Sequence, residues 1–156
     1  MHNSAFATGA EADLVERLRT NGKAEVSLVA ELSGQIIGHI VFSRVTFDPP
    51  LNAIAHALGP MAVVPGYEKH AAGRRLVQNG LAECHYRDTC MVVVSGDLGY
   101  YGRFGFERAS RHGLRNDYGI EDSFMVFMLK AGAHPPPSTV IRYAPEFAAL
   151  PCGTQP

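Results

Sequence analysis

The apolar positions of the chain change period several times, and each change marks an element. From Thr8-Gly9 to Asn21-Gly22 they recur at helical spacing, with Ala10, Leu14, Val15 and Leu18 on one side and Asn21-Gly22 as a C-terminal stop. The period then shortens to two in "AEVSLVAEL". There Val26, Leu28, Ala30 and Leu32 share one face, and Glu25, Ser27 and Glu31 fall largely on the other. "SGQ", with Gly34, reads as a hairpin turn, and the β-branched and aromatic run "IIGHIVFSRVTF" as a long second strand. One helix followed by two antiparallel strands is expected.

"DPPLNAIA" is a loop, because its prolines cannot donate to a ladder. "HALGPMAVV" is nearly all apolar, as a strand buried on both faces would be, and Pro60 within it predicts a bulge or an interrupted ladder. A helix opens at Gly73, with Leu76, Val77, Leu81 and Cys84 on one side and Arg74, Arg75, Gln78 and Asn79 elsewhere. "MVVVS" follows as a short buried strand. Strand, helix, strand in close succession is a βαβ unit, whose two strands must be parallel. After a polar segment, residues 107–122, come the strand "FMVFMLK", the stiff connector "AGAHPPPS", a last strand "TVIRY" and a short docking segment. No repeat and no second domain appears, so residues 1–156 read as one α+β domain. Its sheet is mixed and mostly antiparallel, with one parallel crossover and helices on its faces.

Composition narrows the functional classes. With 14 Lys and Arg against 15 Asp and Glu, the formal net charge is −1. That gives no electrostatic footprint for nucleic acid or an anionic membrane, and neither is expected as a partner. Apolar residues are 46% and charged residues 19%, an ordinary globular balance. Cys84, Cys90 and Cys152 are odd in number and form no C-x-x-C pair, and the first residues lack the layout of a secretory signal. A reduced, cytoplasmic setting is expected. The histidines and cysteines show no metal-ligand spacing, so no metal is expected, and no G-x-S-x-G nucleophile elbow occurs.

One local feature admits two readings. Arg74 and Arg75 sit in the first turn of the helix that Gly73 opens, where exposed N–H groups already carry partial positive charge. Either solvent screens them, with Glu68 offsetting the dipole, or an anion rests on that helix start. Lys69 and His70 would add to such a site, which lies past the C-terminal end of a buried strand, where ligands of α/β sheets collect. A nucleotide P-loop is excluded because no Gly-Lys-Ser/Thr ends the turn, and the three-glycine dinucleotide fingerprint is missing.

"LGPMAVVPGYEKHAAGRRLV", taken with "SGDLGYYGRFGFERA", resembles the GNAT superfamily of N-acetyltransferases, in particular an uncharacterised bacterial branch with a "GD…YYGRFGF" motif. The likeness implies a GNAT fold whose opening strand and helix are largely absent. It also implies transfer of an acetyl group from acetyl-CoA, as co-substrate, to an amine of a small molecule or peptide. The superfamily's diphosphate loop, Gln/Arg-x-x-Gly-x-Gly/Ala, falls on Glu68-Lys69-His70-Ala71-Ala72-Gly73, with Arg74 beside it. Met61, Ala62 and Val63 take the place of the strand segment that pairs with the pantetheine arm. The tyrosine of the Tyr-x-x-x-Gly-Phe element falls on Tyr101, expected to protonate the leaving thiolate; the alternative is an aromatic that only packs its turn. Tyr100 is expected to point elsewhere and pack.

Two positions depart from the loop pattern. Glu68 brings a carboxylate where the pattern has Gln or Arg, and Ala71 puts a methyl group where it has glycine. They motivate the alternative of a degenerate, non-catalytic relative that binds CoA weakly or serves as an interaction module. A binding module for another phosphorylated ligand is a further alternative. His39, His56 and Asp97 are weighed as general bases without a choice among them, and Asp97 could equally cap the helix that follows it. With the opening strand absent, the edge of residues 24–32 would invite a second copy of the chain as a homodimer partner.

Overall fold

The computed structural model describes residues 9–132 and 134–149. The readings made on the first residues, on Cys152 and on Leu150 lie outside the described residues. Helix α1, Gly9–Thr20, buries Ala12, Leu14, Val15 and Leu18, the stripe that the spacing predicts. It stops where expected. Lys23 N donates to Leu18 O at 2.7 Å and Gly22 N to Arg19 O at 3.1 Å, with Gly22 at φ 69°, which is a Schellman cap.

Strands β1, Ala24–Leu32, and β2, Gln35–Asp48, form an antiparallel hairpin. Its two-residue turn puts both Ser33 and Gly34 at positive φ, the combination whose twist suits a tight hairpin. β3, Ala55–Val63, runs antiparallel to β2 and is joined by α2, Ala72–Tyr86, to β4, Met91–Ser95, which lies parallel to β3. The interruption predicted at Pro60 is a bulge: the register jumps from Ile40 opposite Met61 to Phe42 opposite Leu58. The short helix α3, Leu98–Tyr101, follows β4, and the sheet continues with β5, Glu107–Arg108, β6, Arg115–Asn116, β7, Phe124–Met128, and β8, Val140–Arg142.

The strand order is β5-β7-β4-β3-β2-β8-β6, with β1 pairing the first part of β2 and β8 its last residues. A second parallel pairing joins β6 to β8 over two residue pairs, too short to leave a periodic signature. Apolar side chains fill both faces of this sheet. One face is covered by α1 and the segment Pro145–Ala149, around Leu14, Leu18, Phe124 and Ile141. The other is covered by α2, whose Leu76, Val77 and Leu81 meet Phe42 and Val92. Each such side chain contributes roughly 1.5–3 kcal/mol by leaving water. Gly80 lets the helix lie close: a β-carbon there would come within 2.2 Å of the Phe42 ring. The β3-α2-β4 unit is thereby held firmly along its middle, and its two ends are free to differ.

Candidate functional site

The pairing of β3 with β4 covers only Ala55–Ala57 against Met91–Val93. Past that point each strand keeps its other neighbour, β3 staying on β2 as far as Val63 and β4 on β7 as far as Ser95. The two strands therefore part at their C-terminal ends, beginning where β3 bulges at Gly59-Pro60. Among the described residues no strand fills that opening.

The chain leaves β3 through a turn at Pro65-Gly66 and a 3-10 turn, Glu68–His70, before α2. Ala71 lies between them at φ 59° and ψ 18°, the left-handed conformation that glycine adopts without cost. Alanine there costs on the order of 1–2 kcal/mol. It nevertheless takes the backbone path that a glycine would take, and α2 starts at Ala72, one residue earlier than the sequence suggests. Among the described residues no side chain caps this helix, and no acidic residue lies in its first turn. Its leading N–H groups and dipole thus lie beside Arg74 and Arg75 with no carboxylate hydrogen-bonded to them.

A cavity of about 430 Å³ opens at this helix start. Met61 and Val63 of β3, Glu68, Lys69 and Ala71 of the turn, Gly73 and Arg74 of α2, and Tyr100 and Arg103 line it. The site residues named from sequence divide accordingly. Met61, Val63, Lys69, Ala71, Gly73 and Arg74 come together on the cavity wall. Ala62 and Ala72 are buried behind it, and His70 is exposed with its ring 5.6 Å from that of Tyr67. Glu68 does face the cavity, but its Oε2 accepts a hydrogen bond from Gly66 N at 2.9 Å, which turns the carboxylate back onto its own turn.

Tyr101 stands beside the cavity rather than on its wall. Its ring lies against Gly96, just after β4: a β-carbon on Gly96 would be 2.5 Å from Tyr101 Cε2. It meets Phe106 edge-on at 5.7 Å and Tyr100 at 5.0 Å. Burial, and then the neighbouring Tyr100, push its phenol up to about 12, so it stays protonated at any physiological pH. Tyr100, expected only to pack, instead lines the cavity, with its hydroxyl 2.8 Å from where a β-carbon on Gly73 would be. Arg103 also escaped the sequence reading; its guanidinium carbon lies 4.7 Å from the centre of the Tyr100 ring. The signal that would have found the pair is their i, i+3 spacing on a helical turn.

Of the candidate bases, Asp97 caps α3, its Oδ2 accepting from Tyr100 N at 2.9 Å. His56 is fully buried between Thr89 Oγ1 at 2.9 Å and Glu25 Oε1 at 2.8 Å, at the opposite end of β3. His39 is buried on β2. Among the described residues no group of three or more potential ligands could hold a metal ion, and no helix is long and apolar enough to cross a membrane.

Both the sequence and the fold of the chain have counterparts among known proteins. The family described as Acetyltransferase (GNAT) matches residues 3–106. YhbS of Escherichia coli (strain K12), an uncharacterized N-acetyltransferase, is 36% identical over 146 residues, 92% of this chain and 86% of the relative. YjhQ of the same strain, also an uncharacterized N-acetyltransferase, is 38% identical over 106 residues; the match takes in 66% of this chain and only 59% of YjhQ. Among solved structures, E. coli YhbS in complex with CoA superimposes with a TM-score of 0.86 at 33% identity, covering 94% of this chain and 82% of that one. A GNAT family acetyltransferase from Brucella melitensis in complex with acetyl-CoA gives 0.72 at 31% identity, covering 94% and 83%. The chain belongs to the GNAT acetyltransferase family.

Proposed function

We propose that the protein is an N-acetyltransferase that moves an acetyl group from acetyl-CoA to an amine of a small molecule or peptide. The observation that carries this reading is the coincidence, at one end of the β3-α2-β4 unit, of the strand opening and the cavity at the uncapped start of α2. The residues fit the co-substrate. A diphosphate takes the N–H groups of α2 from Ala72 onward, with Lys69 and Arg74 alongside. Met61, Ala62 and Val63 offer main-chain groups to the pantetheine arm, as an extended ligand adds to an open strand edge. His70 points away and contributes through its main chain only.

Acetyl-CoA supplies the activated acyl group. The amine lone pair forms the new C–N bond as the C–S bond breaks, and the sulfur leaves with the electron pair. N–H groups of β3 polarise the carbonyl as its oxygen gains charge. Tyr101, kept protonated by burial, donates its phenolic proton to the leaving sulfur, and the proton that the new amide nitrogen sheds returns through water to the tyrosinate. His56 and Asp97 are engaged in structural bonds, so the acceptor loses its proton to water before it attacks, and the rate should follow the ionisation of the amine itself. A screen of amines and peptides, read out as free CoA release, tests the proposal.

One observation favours a second reading. Glu68 and the left-handed Ala71 both stand on the cavity wall, as a chain that binds CoA weakly without turnover would have them. CoA binding with no acetyl transfer to any amine tried would select it. The outer edge of β1 pairs with no strand among the described residues and exposes Val29, which suits a second copy of the chain; sedimentation at micromolar concentration tests that homodimer.

A further inference from the structure

We infer that Arg103 grips the diphosphate of the CoA donor beside the start of α2, and that Tyr100 is the platform that positions it. The inference rests on the proposed function and adds to it two residues that lie outside the family's loop.

The first observation is charge balance. Three cations, Lys69, Arg74 and Arg103, line the cavity, and none makes an ion pair among the described residues. Elsewhere Arg44, Arg142 and Lys130 each hold a carboxylate. Against the three stands one anion, Glu68, and it shares its turn with Lys69. A phosphate entering here meets Glu68 repulsion on the turn side. Arg103 arrives on a separate element, the 3-10 turn Gly102–Phe104, and offers its charge from a side that Glu68 does not occupy.

The second observation is how the arginine is held. Its guanidinium carbon stacks 4.7 Å from the Tyr100 ring centre, and its Nε donates to the Tyr100 carbonyl at 3.4 Å. The Tyr100 ring is fixed edge-on by Tyr101 at 5.0 Å and Phe104 at 5.4 Å, and its far end touches Gly73 in the first turn of α2. One ring therefore links Arg103 to the helix start, which sets the guanidinium beside the diphosphate position rather than out in solvent. Arginine suits both tasks, because its planar, weakly hydrated fork stacks on an aromatic face and still presents paired donors to phosphate oxygens. The small Gly73 leaves room for the phenol: a side chain there would displace it.

Calorimetric titration of the full chain with CoA and with dephospho-CoA, which keeps the diphosphate and lacks the 3′-phosphate, tests the inference. Arg103→Ala should weaken both ligands by roughly tenfold, the scale of one exposed charge-assisted hydrogen bond, with an unchanged melting temperature. Its CoA affinity should also fall less steeply with added salt. Tyr100→Leu, which removes the platform, should weaken CoA severalfold, while Tyr100→Phe, which keeps the ring under Arg103 and loses only the hydroxyl at Gly73, should weaken it less. The double variant Arg103→Ala/Tyr100→Leu should be no weaker than Arg103→Ala alone. Wild-type affinity for CoA in Arg103→Ala overturns the inference and leaves the proposed function standing. A loss seen with CoA but absent with dephospho-CoA overturns the diphosphate assignment, since Arg103 would then read the 3′-phosphate. Wild-type protein that binds neither ligand removes the proposed function, and this inference with it.

Discussion

The two ends of the β3-α2-β4 unit handle polarity in opposite ways. At the end where α2 finishes, a buried polar cluster is closed on itself. His56 on β3 lies between Thr89 and Glu25, Glu25 also holds Arg44 at 3.1 Å, and the Cys84 thiol hydrogen-bonds to Thr89. Burial pushes that thiol up to about 12, which makes it inert as a nucleophile. At the end where α2 begins, the balance is left unfinished: an uncapped helix start, three cations without ion pairs among the described residues, and a left-handed alanine. Strand and helix are shared, so the contrast is a property of the ends and not of the elements. A fold keeps polar groups buried where they complete one another, and leaves them incomplete where a ligand completes them.

Substitutions at the closed end should change stability and spare the ligand, and substitutions at the open end should do the reverse. The largest effect is expected from His56→Ala, which empties a fully buried site and removes the His56 bonds of the Thr89 hydroxyl and the Glu25 carboxylate, leaving Arg44 on Glu25. A loss of about 3 kcal/mol by denaturant unfolding is expected, with CoA affinity unchanged in the protein that remains folded. Tyr101→Phe should cut turnover roughly a hundredfold with CoA affinity within about twofold, measured by steady-state kinetics and calorimetry. Equal turnover in both proteins would take Tyr101 out of the mechanism.

Acid gives a milder test of the closed end. Burial, outweighing Glu25, holds His56 below the ordinary imidazole range, so the unfolded chain takes up a proton more readily than the native one. Stability should therefore fall as pH drops below the unfolded histidine value of about 6.5. Burial raises Glu25, but the His56 hydrogen bond and the charge of Arg44 outweigh it and leave the carboxyl below its usual range. That stabilisation is present above the ordinary carboxylate range and is lost as pH falls through the native value. Both signs agree: the melting temperature should decline on acidification below neutrality. In His56→Asn the decline should be shallower. Smallest is Ala71→Gly, expected to add about 0.5–1 kcal/mol to stability and to tighten CoA binding slightly, by releasing the positive-φ strain at the loop. An unchanged melting temperature would mean that Ala71 bears no such strain.

The closed end and the open end were not equally legible in the sequence. The helical stripe of α1, the hairpin at Ser33-Gly34, the bulge at Pro60 and the parallel crossover all follow from local periodicity and from residues with restricted backbones. The wall residues Lys69, Gly73 and Arg74 were visible because a motif gathers them in one short run. The His56 network was hidden, since Glu25, His56, Cys84 and Thr89 meet only through pairing across β1, β2 and β3 and the end of α2. Tyr100 and Arg103 were hidden for a related reason. Two adjacent tyrosines diverge by about 100° on a helical turn, and which one faces the cavity is decided by the packing of Tyr101 on Gly96.

The account turns on whether the open end of this unit takes a CoA molecule. Calorimetric titration of the full chain with acetyl-CoA measures it directly. One site per chain, with micromolar affinity that weakens as salt is raised, is the predicted result; the absence of any binding heat up to millimolar ligand, at more than one temperature, would contradict it.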